Sequence, residues 1–168
     1  MSDRVALALR PDDLLDLARG RPLGPCLAWA DGPELRQAAG IGPEQDDEAA
    51  WSVVLFASVD GLIRHGLRLV ATAEADFSWA GADRDSGQVT VQRLLWSQLT
   101  AVYADDPAQA DAVAELVPTL AGVDFEQAWS EPALTAFLAR ADLLWYDPSE
   151  VSRGLVTVVG PHGARPLV

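Results

Sequence analysis

Residues 43–66 read PEQDDEAAWSVVLFASVDGLIRHG, and both ends of the stretch are chemically marked. Gly42-Pro43 opens it. Glu44, Asp46, Asp47 and Glu48 follow where the free amides and positive dipole end of a helix favour negative charge. Arg64 and His65 fall in the last turn, where cations suit the opposite dipole end, and Gly66 can adopt the left-handed closing conformation. In between, Trp51, Val53, Val54, Leu55, Phe56, Ala57, Val59, Leu62 and Ile63 cover almost the whole circumference at 100° per residue, leaving Asp60 and Arg64 on one narrow strip. The pattern predicts a central helix buried nearly all round, on which the rest of the chain packs. A membrane span needs about 20 uninterrupted apolar residues. Here the apolar run is shorter and holds Ser52, Ser58 and Asp60.

Working outward, the N-terminal side supplies cover for that helix. Val5–Leu9 is a short apolar run, strand or helix lead-in. Pro11-Asp12-Asp13 starts a helix through Arg19 that Gly20 stops, with Leu14, Leu15 and Leu17 inward. Glycine and proline exclude regular structure from 20–33 except at Cys26–Ala30, and Pro33–Ala39 is a short helix closed by Gly40.

On the C-terminal side, the apolar run after Gly66, the turn cluster AGADRDSGQ and Val89-Thr90-Val91 predict a hairpin. Leu95, Leu99, Val102 and Tyr103 recur at helical spacing and predict a helix over 92–104. Further helices are expected at Ala108–Val117, Asp124–Trp129 and from Pro132 to Ala141. Leu143–Tyr146, the polar turn DPSEVSRG and Leu155–Val159 then predict a second hairpin. Three helices followed by a hairpin is the element order of a winged helix-turn-helix unit, and the central segment reads as a looser copy in order, though not in residues. The expected fold class is thus α+β and helix-dominated, with a buried central helix, two small β-hairpins and winged-helix-like units. It forms one domain over 1–168, divisible into 1–104 and 105–168 around a shared core.

Charge restricts the function. The net charge is −13, and all 12 basic residues are arginine. From Asp105 onward ten acids face only Arg140, Arg153 and Arg165. Phosphate backbones are bound by cations that displace condensed counterions, so nucleic acid and anionic membranes are excluded as expected partners. A basic protein partner suits this charge. The lone Cys26 permits no internal disulfide, and MSDRVALALRPDD lacks a signal-peptide pattern, so a cytoplasmic location is expected.

No motif assembles a catalytic constellation. His65 and His162 are isolated, and no zinc spacing, Walker A sequence, dinucleotide fingerprint or GxSxG elbow occurs. Asp83-Arg84-Asp85-Ser86-Gly87 resembles the start of a calcium loop, yet the third ligand position is not an acid and the twelfth is Leu94, so it reads as a turn. Paired acids such as Asp12 and Asp16 read as caps and solvated faces, and Cys26 as a small buried apolar residue. No cofactor or metal is expected.

Six tryptophans are spread along the chain, at 29, 51, 79, 96, 129 and 145. They suit anchors of a shared core, with Trp79 and Trp145 on the hairpins the two expected to be exposed. The reading that follows is a non-enzymatic protein acting by protein–protein contact, of inhibitor, immunity or adaptor type. Trp145, Tyr146 and Arg153 are the candidate contact residues, since aromatics beside an arginine are favoured at hot spots. A pocket built from sequence-distant residues, serving an enzyme or small-molecule binder, is the alternative, and a structural homo-oligomer a third.

Overall fold

A computed structural model describes residues 3–80 and 87–168. The Asp83–Ser86 turn considered above lies outside the described residues. In chain order the elements begin with β1 (Asp3–Ala8), α1 (Pro11–Ala18), β2 (Cys26–Ala30), α2 (Pro33–Ala39) and α3 (Asp46–His65). Next come β3 (Leu69–Ala75), β4 (Ser78–Trp79), β5 (Gln88–Val91) and β6 (Leu99–Asp105). The last third holds α4 (Ala110–Leu116), α5 (Phe125–Ala128), α6 (Pro132–Leu138), β7 (Leu143–Tyr146), α7 (Pro148–Ser152), β8 (Thr157–Gly160) and β9 (Gly163–Pro166).

The helix-dominated expectation is overturned. Among the described residues the chain is organised by one seven-stranded antiparallel sheet in the order β4-β5-β2-β1-β3-β6-β7. The run at Val5 belongs to β1, the middle strand, hydrogen-bonded to β2 on one side and β3 on the other. The expected first hairpin survives only as the pairing of β4 with β5, because β3 pairs with β1 and β6 instead. The expected helix over 92–104 is replaced by an irregular segment, in which Leu94 bridges Leu23, a short 3-10 turn, and β6. Leu95, Leu99, Val102 and Tyr103 satisfy a helical spacing. Thr100, Val102 and Tyr103, however, are β-branched or aromatic types that fit a pleated surface, and neighbouring strands decided the outcome.

The second hairpin is also redrawn. β7 is an edge strand paired with β6, the DPSEVSRG segment contains α7 capped by Asp147, and β8 pairs with β9, formed by the tail. Winged-helix units are therefore absent among the described residues: each expected hairpin gave a strand to the common sheet.

Alternation along the strands gives the sheet two different faces. Val5 and Leu7, Ala28 and Ala30, Leu69 and Ala71, Val89 and Val91, and Val102 and Ala104 point to one face, where Leu14, Leu17, Val151, Val156 and Val158 seal them. On the other face Ala6, Trp29 and Val70 meet Val53, Val54 and Ala57 of α3, with Leu35 of α2. Trp29 stacks on Phe125 at 4.5 Å between centroids and meets Phe56 edge-on at 5.7 Å. The C-terminal half of α3 is covered in turn by α4 to α6: Val59 and Leu62 pack among Val113, Leu116, Leu134 and Phe137.

Close approach needs a glycine here. A Cβ at Gly61 would lie 2.7 Å from the Leu67 carbonyl oxygen, so Gly61 lets α3 press against the chain entering β3. Gly66 closes the helix at φ +68°, as its position predicts.

Beneath α6, Arg68 and Asp105 form a buried ion pair. Arg68 Nε donates to both carboxylate oxygens at 3.0 Å, Nη2 donates to Asp105 and, at 2.9 Å, to the Ala141 carbonyl, and the guanidinium lies 4.6 Å from the centre of Phe137. The pair ties β3, β6 and the end of α6 together. Among the described residues no helix is long and apolar enough to cross a membrane.

Candidate functional site

The N-terminal half of α3 is not sealed. Two adjoining hollows of about 270 and 320 Å³ run between it and the sheet, and both are lined by Arg4, Ala50 and Thr72. Together they form a cleft with a charged end and an aromatic end.

Arg36 builds the charged end. Its guanidinium donates to Asp31 at 2.6 and 2.9 Å, to Asp46 Oδ1 at 2.7 Å, and to the Gly42 and Pro43 carbonyls at 3.2 Å. These bonds fix the loop before α3 and hold the first turn of the helix over the sheet. The hydrogen bonds that Arg36 donates to Asp31 and then to Asp46 raise its pKa further above its ordinary value, so it remains a cation. Arg4 and Glu74 stand opposite each other on β1 and β3 in the cleft floor.

The aromatic end lies toward β6 and β7. Trp51 sits one turn beyond the acidic start of α3 and is 45% exposed; its ring meets Tyr103 edge-on at 6.2 Å. Tyr103 is directly opposite Trp145 in the β6–β7 register, which puts both on the α3 side of the sheet. Trp145 is 57% exposed. Between the two ends the β3–β6 register jumps, with Thr72 opposite Ala101 and Ala73 opposite Leu99. Thr100 is the extra residue of that bulge, and its hydroxyl bonds that of Thr72 at 2.9 Å. Glu44, Asp46, Asp47 and Glu48 are all exposed, and of these Asp46 lines one hollow and Asp47 the other, giving the cleft an acidic rim.

The three sequence candidates do not converge. Trp145 lines the cleft, but Tyr146, the next residue on a strand, points to the opposite face and packs against the larger core. There burial, then the Glu150 and Asp106 carboxylates, push its phenol upward. Arg153 is exposed at the end of α7, on that other side. The sequence pattern places Trp51 on a buried helix face and Tyr103 in a helix that does not form. The available signal was the position of Trp51, the first large apolar residue after four acids. Trp79 is half-buried and meets Phe77 edge-on at 5.7 Å.

A third hollow, about 560 Å³, is lined by Arg10, Asp13, Cys26, Arg64 and His65 among others. Its charges are already matched: Arg10 donates to Asp13 at 3.0 and 3.1 Å, and Arg64 to Asp60 at 2.9 Å. Burial, then Asp13, push the Cys26 thiol up, away from a nucleophilic thiolate. Burial, then Arg64, push His65 down, so the helix-ending cation expected at 65 is weakened.

No curated protein and no solved structure matches the chain. A family of unknown function, DUF6912, matches over residues 4–155, a span that takes in both ends of the cleft and every strand of the large sheet and stops before β8. The chain belongs to the DUF6912 family.

Proposed function

We propose that the protein is a non-enzymatic binding module that grips a basic partner protein in the cleft beside the N-terminal half of α3. One observation carries the reading: Trp51 and Trp145, from distant parts of the chain, are both held partly exposed around Tyr103, under an acidic rim. Large aromatic surface left in water at a concave site is the composition of an interaction hot spot, and arginine is the side chain that best combines acid pairing with stacking on aromatic faces. The rim steers a cationic partner, and the rings supply contact area. A cytoplasmic setting fits a chain whose sole cysteine is free and half-buried.

The test is an affinity purification of the tagged chain beside a Trp51→Ala/Trp145→Ala double variant of unchanged melting temperature, each at low and moderate salt. A stoichiometric basic protein retained by the parent, lost by the variant and weakened by salt supports the reading. Equal capture by both chains, or capture indifferent to salt, overturns it.

A further inference from the structure

The two edges of the sheet are built differently. At one edge β4 offers two residues, Ser78 and Trp79. At the other β7 runs LLWY, four residues with no charge, proline or glycine, and its register with β6 is unbroken. Among the described residues its backbone makes no hydrogen bond beyond the β6 ladder. A charge, a proline or a bulge ordinarily guards such an edge, because its outward N–H and C=O groups are a template for another strand.

Acids stand at the ends of β7 instead of within it. Asp142 precedes the strand and Asp147 follows it, both exposed, and Asp47 of α3 lines the same hollow as Trp145. We propose that β7 takes up an extended, arginine-rich segment of the basic partner as an eighth strand, its apolar centre over the β7 backbone and its cations beside Asp142 and Asp147. Alternate side chains of that strand reach the cleft, where Trp145 and Tyr103 receive them. The inference rests on the cleft reading above and adds the backbone to it.

Charge also argues against a second copy as occupant. In a centred antiparallel pairing of β7 with itself, Asp142 of each copy falls opposite Asp147 of the other, and like charges directly opposite are unfavourable. A strand with cations flanking an apolar centre reverses the sign of both encounters.

The experiment uses the full chain, labelled with nitrogen-15, and a displayed library of random linear peptides selected on it at low salt. Selected peptides are expected to be cationic. They slow hydrogen exchange at outward amides of Leu143–Tyr146, and weaken about tenfold or more when alternate peptide amides are N-methylated. Cationic peptides that tolerate N-methylation at every position, and leave β7 exchange unchanged, overturn strand addition while the cleft reading stands. Selection of neutral or acidic peptides, or of none, overturns both. A dimer in sedimentation whose formation protects the β7 amides assigns the edge to a second copy and overturns the proposed occupant.

Discussion

The two halves of α3 carry similar residues and do different work. From Ala57 to Leu62 the helix is buried without a break, including Ser58 and Asp60, because α4 to α6 close over it and Gly61 lets it touch the chain leading into β3. From Asp46 to Trp51 it rides above the sheet with Arg36 as a strut, and its acids and Trp51 meet solvent. An apolar circumference therefore does not by itself mean burial all round. What covers each turn depends on elements fifty to ninety residues away.

The sharpest way to break this contrast is to attack the sealed side. Asp105→Ala leaves Arg68 buried without its counter-charge, and loss of one partner of a buried pair costs about 3–5 kcal/mol. Urea denaturation at neutral pH should show a loss of that size. A loss below about 1 kcal/mol, the range of exposed pairs, would mean that water reaches Arg68. Gly61→Ala comes next. The added methyl meets the Leu67 carbonyl at 2.7 Å, a backbone atom that cannot swing aside, so α3 must lift. Overpacking of this kind costs about 1–3 kcal/mol. A neutral Gly61→Ala would show that α3 can move away from the Leu67 carbonyl at no cost.

Much of this architecture was legible locally. The ends of α1, α2 and α3 follow from Pro11, Pro33, the acids at 46–48 and the closing glycines at 40 and 66, since caps are short-range chemistry. The sheet was not legible, and for a physical reason. Its central strands include ALA in β1 and ATAEA in β3, mostly small residues of low strand propensity that are held by a partner strand on each side and by the larger core packed on one face. β6 carried a helical spacing by coincidence, and β1, paired on both sides, is defined by partners far along the chain. The site divides in the same way. Trp145 could be singled out by composition, but its separation from Tyr146 and Arg153 is a consequence of strand alternation that appears only once β7 joins the sheet.

Asp60 tests the sealed half by sign instead of size. Burial raises its pKa above the ordinary carboxyl value, with the Arg64 charge and hydrogen bond opposing. A carboxyl whose folded pKa exceeds its unfolded value of about 3.9 contributes stability while protonated, and that contribution is lost as pH rises through the folded pKa. At pH 7 the ionised group is thus a cost, and Asp60→Asn, which still offers Arg64 an acceptor, should be more stable than the parent. The advantage should shrink as pH falls through the folded pKa and vanish below the unfolded one. Denaturation midpoints at several pH values read it out. An Asn variant less stable than the parent at pH 7 would show that the Arg64 pairing outweighs burial.

The smallest stability effect is expected on the open half, and its smallness is the point. Trp51 and Trp145 flank Tyr103 and leave 45% and 57% of their surface in solvent, so Trp51→Ala and Trp145→Ala should each change unfolding stability by about 1 kcal/mol or less. Intrinsic fluorescence distinguishes them further. Both rings should be quenched by a small neutral quencher such as acrylamide, whereas Trp29, stacked on Phe125 and fully buried, should not. If either alanine variant lost about 3 kcal/mol or more, the cost of truncating a buried tryptophan, that tryptophan would belong to the core and the cleft would lose its aromatic end. Neutral stability together with lost partner capture would instead separate the two halves of α3 by function, one holding the fold and the other free to be gripped.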